Sequence, residues 1–198
     1  MTVPSTVQWI GCSMPETNLL RELIREAKAG DTSAFERIVV LHECLVLRVA
    51  QRLLLNGEDA KDAAQEVFLR LHRKLGRFEQ EQDFAPWLYR MTVNICHDLR
   101  RRKKQEISLE GAMEAQDISP SAEESVLLRQ QRQLVVAALE SLSEREREVI
   151  VLRDLEGLST AEVAAITGAS EATVRSQICM GRVKIKNHVA ARLRRGSV

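Results

Sequence analysis

Residues 158–178 read LSTAEVAAITGASEATVRSQI. Ser159 and Glu162 have the S-x-x-E spacing of a capping box, in which each side chain takes up the other residue's free backbone N–H at the start of a helix. The helix opened there carries a small residue, Ala164, where a following helix would cross it. It runs into Gly168, a residue type that adopts the left-handed backbone of a sharp turn without steric cost. Ser170 can cap the next helix. Two short helices with a glycine turn between them make a helix-turn-helix, whose second helix turns its outer face to a DNA major groove. On that helix Val174, Ile178, Gly181, Ile185 and Val189 share one face, while Arg175, Ser176, Cys179, Met180 and Val183 lie on or near the opposite one.

Arg175, Arg182, Lys184, Lys186, Arg192, Arg194 and Arg195 surround this helix against a single acid, Glu171. Such a local field suits phosphate contacts, and the whole-chain net charge of +1 conceals it. A second capping box, Ser143 with Glu146, lies just upstream and opens an earlier helix of the same domain. Before that, residues 105–128 lose helical periodicity. They carry Glu106, Glu110, Glu114, Asp117, Glu123 and Glu124 without a basic residue among those acids, around Ser119-Pro120-Ser121. This composition predicts a flexible acidic linker.

Upstream of the linker the pattern is helical again. Asn18 starts a helix that Gly30 stops, and Asp31 caps a second one running to Leu55 with Phe35, Ile38, Val39, Cys44 and Val46 on its apolar stripe. Asn56-Gly57 marks a turn, a third helix is expected from about Asp59 to Gly76, and a fourth from Pro86 to Lys104. The fold class is therefore all-α, with two small helical domains joined by a flexible linker. The expected divisions are a flexible lead-in over 1–17, a first domain over 18–104, the linker over 105–128, a second domain over 129–192 and a basic tail over 193–198.

Two stretches of the first domain invite functional readings. In FAPWLYRMTVNICHDLRRRKK, residues 84–104, aromatic side chains crowd beside a basic helix end: Phe84, Trp87 and Tyr89, with Phe78 just before them. Aromatic faces beside cations can hold unstacked bases. Arg90, Asn94, His97, Arg101 and Lys104 form one polar face, and Leu88, Met91, Ile95 and Leu99 the inward one. Aromatic core packing beneath a solvated basic face explains the same pattern equally well. In DAAQEVFLRL, residues 62–71, Ala60, Ala64, Val67, Leu71 and Leu75 make an inward stripe. Asp62, Gln65, Glu66, Leu69 and Arg73 face outward; on composition alone that is an ordinary solvated acidic face.

Composition narrows the classes further. The proportions of charged (29%) and apolar (44%) residues are those of a folded soluble chain. Cys12, Cys44, Cys96 and Cys179 lie far apart without metal-ligand or disulfide spacing, so reduced thiols in the cytoplasm are expected. No apolar stretch is long enough to cross a membrane, and no export signal is read, so neither insertion nor secretion is expected. His42, His72, His97 and His188 stand in four separate segments without evident partners, which argues against a metal or general-base site. No metal and no cofactor is expected.

Taken in order, DAAQEVFLRLHRKL, FAPWLYRMTVNICHDLRRRKK, the acidic linker and LESLSEREREVIVLRDLEGLSTAEVAAITGASEATVRSQI closely resemble the extracytoplasmic-function (ECF) group of the sigma-70 family of RNA polymerase sigma factors. The likeness runs from about Asn18 to Val189, with the two domains corresponding to regions 2 and 4. The resemblance implies a non-catalytic subunit that binds core RNA polymerase, recognises promoter DNA and helps to open it. Asp62, Gln65, Glu66 and Leu69 match the helix that docks on the clamp of the polymerase's largest subunit, which would account for an exposed leucine among charges. Phe84, Trp87, Arg90, Asn94, Asp98 and Arg101 fall in the part that opens and reads the minus-ten element, with Arg100 to Lys104 against backbone phosphate. Ser170, Thr173, Arg175, Ser176, Cys179, Met180 and Arg182 fall in the part that meets the minus-thirty-five element. Region 4 would also reach the polymerase flap, the linker would follow the product RNA channel, and an anti-sigma factor is an expected partner. Gln177 and Met180 stand where many family members are basic, and Thr167 where many carry a large apolar residue, which points to unusual upstream-element contacts. A repressor or activator acting without polymerase is the alternative reading.

Overall fold

The computed structural model describes residues 17–79, 83–110 and 126–195. The expected lead-in up to residue 16, the centre of the expected linker over 111–125 and the last tail residues, 196–198, lie outside the described residues. Among the described residues every regular element is helical: α1 (Thr17–Lys28), α2 (Thr32–Leu54), α3 (Gly57–Lys74), α4 (Phe84–Glu110), α5 (Val126–Glu140), α6 (Glu144–Ile150), α7 (Thr160–Thr167) and α8 (Glu171–Arg195). A short 3-10 turn, Leu75–Arg77, follows α3, and a π-helical turn, Val151–Leu155, follows α6. The chain forms two compact units, one ending at Leu45 and the other beginning at Val46.

In the first unit Leu23, Ile24, Ala34, Ile38 and Leu45 are buried. Gly30 takes a left-handed φ of 101° after α1, and the Asp31 carboxylate accepts from the amides of Ser33 (2.8 Å) and Ala34 (3.2 Å), capping α2 as expected. His42 is buried, its Nδ1 2.9 Å from the Ile38 carbonyl oxygen, and burial pulls its pKa below the ordinary value. Cys44 departs from the expected apolar stripe: it is exposed, and His42 faces inward instead.

The second unit holds α3, α4 and all the helices of the helix-turn-helix domain. α3 packs along α4, burying Ala60, Ala63, Ala64, Val67 and Leu71 from one helix and Leu88, Met91 and Ile95 from the other. The small alanines let the two backbones approach while Val67, Leu71, Leu88 and Ile95 supply most of the apolar area, at about 1.5–3 kcal/mol per fully buried large side chain. The turn before α3 is made differently from the expectation. Leu55, not Gly57, takes the positive φ (58°), and the Asn56 side chain caps α3 by accepting from the Asp59 amide at 3.1 Å.

α4 is longer than expected at both ends. It begins at Phe84, with Pro86 in the first turn, where a missing N–H breaks no hydrogen bond. It continues past Lys104 to Glu110 because residues 105–110, QEISLE, contain neither glycine nor proline to stop it. Both capping boxes form: Ser143 with Glu146 starts α6, and Ser159 with Glu162 starts α7. Gly168 ends α7 at φ 69°, the left-handed turn the sequence demands. α8 lies against α6 and α7, with Val174, Ile178 and Gly181 buried and Val189 exposed in part. A Cβ on Gly181 would stand 2.8 Å from Ile150 Cγ1, so glycine is what allows α8 to close on α6.

Candidate functional site

On α3 the outward face is as the spacing predicts. Asp62 and Gln65 are exposed, Glu66 is half-buried and bonded to Arg70 (3.1 Å), and Leu69 is 54% exposed on a helix whose other apolar side chains are nearly all inside. Arg70 also reaches across to Asp98 on α4 at 3.7 Å. Asp98 further lies 3.4 Å from Arg101, so this α4 carboxylate is held between two guanidinium groups rather than standing alone.

At the start of α4 the aromatic side chains form one cluster. Phe78 and Phe84 meet edge to face at 5.5 Å, and Trp87 stacks obliquely on Phe78 at 4.9 Å and on Phe84 at 5.9 Å. Phe78 and Phe84 are buried, whereas Trp87 is partly exposed. Of the aromatics expected to meet DNA, Phe84 therefore serves as the floor and Trp87 keeps an accessible ring. Arg90 and Asn94 are exposed one and two turns further on. The basic end of α4 opens on a cleft lined by His97, Arg100, Arg101, Lys104 and Arg145 with one carboxylate, Glu144, which Lys104 contacts at 2.7 Å. That contact, together with the nearby arginines, holds the Glu144 carboxyl below its ordinary value.

On α8 the expected readers divide into two groups. Ser176, Cys179 and Met180 are exposed and unobstructed on the outer face. Ser170 caps the helix, accepting from the Thr173 amide at 3.1 Å, and their hydroxyls lie 2.8 Å apart. Arg175 pairs with Glu171 one turn earlier, and Arg182 grips Asp154 with two hydrogen bonds, at 2.9 and 2.6 Å. Ser176, Cys179 and Met180 thus share the outer face of α8, Ser170 and Thr173 stand at its start, and both cations of the set, Arg175 and Arg182, are already paired.

Sequence reasoning missed a set of buried ionic contacts. The Glu156 side chain is 1% exposed and takes Arg48 in a two-pronged grip (3.0 and 2.7 Å), Arg52 at 2.5 Å and the Tyr89 hydroxyl as a donor at 3.0 Å. Burial first, then Glu156, drives the Tyr89 pKa upward, and burial pulls Arg52 down. Removing the partners of such a carboxylate would cost about 3–5 kcal/mol. Nearby, Glu148 is equally buried and meets His97 Nε2 at 3.1 Å and Arg145 at 3.3 Å. Arg147 donates to the carbonyls of Leu139 (3.0 Å), Leu142 (3.4 Å) and Leu53 (3.1 Å). The only sequence signal for Glu156 was its place before Gly157, which has φ 79°. Its partners lie more than a hundred residues upstream or on another helix. Among the described residues no group of histidines, cysteines and carboxylates is arranged to hold a metal ion.

Comparison with known proteins bears on all of these surfaces. Residues 38–106 match Sigma-70 region 2, and residues 132–185 match Sigma-70, region 4. The chain is 34% identical over 183 residues to the ECF RNA polymerase sigma-E factor of Escherichia coli, an alignment covering 87% of this chain and 95% of that protein. CnrH, solved in complex with the cytosolic domain of CnrY, is 26% identical, with a TM-score of 0.66 over 87% of this chain and 98% of that one. The sigma factor RpoE of Bartonella quintana, solved in complex with the anti-sigma factor NepR, is 23% identical with a TM-score of 0.68, over 79% of this chain and 96% of that one; it supports the fold. With both regions matched in order and identity extending over almost the whole of a sigma-E factor, the chain belongs to the ECF group of the sigma-70 family of RNA polymerase sigma factors.

Proposed function

We propose that this sigma factor docks on the largest-subunit clamp of core polymerase through Asp62, Gln65, Glu66 and Leu69, and reads promoters with α4 and α8. Single exposed apolar residues are common, but Leu69 projects among charges on the face that matches the family's clamp-binding helix. That exposed leucine is the observation that carries the reading. In α4, Trp87 would receive an unstacked base on the floor made by Phe78 and Phe84. Arg90 and Asn94 would follow the strand, Asp98 would be fixed by Arg70, and Arg101 and its basic neighbours would meet phosphate. In α8, Ser176, Cys179 and Met180 would face the minus-thirty-five bases; Arg175 and Arg182 would exchange their internal acids for phosphate, and Ser170 and Thr173 would stand at the helix start. Cys179 and Met180 suit apolar contact with a thymine methyl rather than bidentate readout of guanine.

The chain supplies recognition and opening, while the chemistry of RNA synthesis stays with the polymerase. The work is done in the cytoplasm, in keeping with the absence, among the described residues, of any helix able to cross a membrane. The domain limits of 18–104 and 129–192, the tether between them and a flap contact for region 4 belong to the same reading. CnrH's complex with the cytosolic domain of CnrY and RpoE's complex with the anti-sigma factor NepR support a partner of the anti-sigma kind for this chain too. The test is co-elution of the purified chain with sigma-free core polymerase, followed by run-off transcription on fragmented genomic DNA. Co-elution with discrete transcripts is expected; tight operator binding by the free chain, with none to core, would replace the reading with that of a conventional regulator.

A further inference from the structure

We infer that the cleft between the second half of α4 and the start of α6 is a binding site for a small oligophosphate, an anion of several linked phosphate groups. It goes beyond the promoter-backbone contact given to Arg101 and does not depend on it. His97, Arg100, Arg101 and Lys104 stand at i, i+3, i+4 and i+7 of α4, so they share one face of the helix and make one wall of the cleft. Glu144 and Arg145 of α6 contribute the other. Four formal cations thus meet one carboxylate around a volume of about 830 Å³, within the size range of small-molecule sites.

The positive charge here is poorly compensated. Arg100 Nη2 is buried without a hydrogen-bond partner, a costly arrangement for a charged donor. Burial first, and then the charge of Arg100, pull the Arg147 guanidinium below its ordinary value, and Arg147 donates only to neutral carbonyls. The nearby acids are already engaged: Glu144 with Lys104 at 2.7 Å, Glu148 with His97 at 3.1 Å and Arg145 at 3.3 Å, and Asp98 with Arg101 at 3.4 Å. The pairs made by Arg145 and Arg101 are long and solvated, the kind that contributes little, so both guanidinium groups can turn to a stronger anion.

Shape and chemistry select the ligand. A guanidinium takes two phosphate oxygens at once, and an ammonium adds a compact point charge. The α4 stripe rises about 10 Å from residue 97 to residue 104, so a single phosphate meets only part of it while linked phosphates carry charge along it. A DNA duplex, whose major groove alone is about 12 Å wide, cannot enter and meets only the rim. Among the described residues that line the cleft none has an apolar side chain to receive a nucleobase.

Calorimetric titration of the full chain with tripolyphosphate at constant ionic strength tests the site. One ion per chain is expected, with orthophosphate at least tenfold weaker and ATP no tighter than tripolyphosphate. Arg100→Gln with Arg145→Gln should weaken tripolyphosphate at least tenfold. Should that pair fail to fold by circular dichroism, Arg101→Gln with Lys104→Gln, at exposed positions, should give the same loss. Arg21→Gln with Arg25→Gln, which removes two exposed charges from α1, should leave the affinity unchanged. The absence of saturable binding, equal losses in the α1 and cleft variants, equal affinity for orthophosphate, or ATP binding tenfold tighter than tripolyphosphate would each overturn the site. So would a duplex of arbitrary sequence that binds through Arg100 and Arg145 while tripolyphosphate does not, since the cleft would then be part of the DNA face. Tripolyphosphate binding that is lost in the cleft variants of a chain unable to join core polymerase would leave the site standing and remove the sigma reading instead.

Discussion

Gly181 is the position where one hydrogen atom governs a helix crossing. Alanine there would gain about 1 kcal/mol of helix propensity, but its Cβ would meet Ile150 Cγ1 at 2.8 Å, and Ile150 is itself 2% exposed and walled in. Overpacking of that kind costs about 1–3 kcal/mol, so Gly181→Ala should lower the thermal midpoint by a few degrees in a calorimetric scan. Leu69→Ala should behave oppositely. With the side chain 54% exposed, folding stability should move by less than about 0.5 kcal/mol, while affinity for core polymerase falls about tenfold or more in a titration. Glu146 supplies a pH signature. Its hydrogen bond from Lys184, followed by those from Ser143, holds its carboxyl below the ordinary 4.5. Because the folded-state value is depressed, the associated stabilisation is present above about pH 4.5 and is lost as pH falls through that lower value. Acid titration followed by circular dichroism should show that loss in the parent and a smaller one in Glu146→Gln.

At the scale of elements, α4 opens on an aromatic cluster whose readings the residues alone left undivided. Packing and base capture were equal readings of Phe84, Trp87 and Tyr89; the fold buries Phe84, bonds the buried Tyr89 to Glu156 and leaves Trp87 partly exposed, so of the three it is Trp87 on which we place the proposed base contact. Trp87→Ala should therefore slow promoter opening, read by permanganate reactivity of unpaired thymines, by about the 1–3 kcal/mol of one lost stacking partner while leaving initial docking nearly unchanged. The helix-turn-helix was readable in more detail, since capping boxes and the Gly168 turn depend on neighbours three or four residues away. α4's true end was not, because the acidic composition after Lys104 resembles a linker while its individual residues are acceptable helix formers.

For the whole molecule the informative side chains are those that join distant segments. Arg147 binds three carbonyls, one of them from Leu53 on α2, and Arg147→Ala would strand them; a loss on the order of 2–3 kcal/mol in denaturant unfolding is expected, larger than for exposed Arg175→Ala. The all-α class, the inward stripe of α3, the outer face of α8 and the cap residues were all written in local spacing, because helical periodicity and capping act within one or two turns. The family likeness added roles to those faces. Which acids are buried, and on what, depends on pairs such as Arg48 with Glu156, 108 residues apart, and no local rule distinguishes that glutamate from a solvated one. Only the folded chain brings them together, since the burial that makes such a carboxylate need its partners arises when the helices pack.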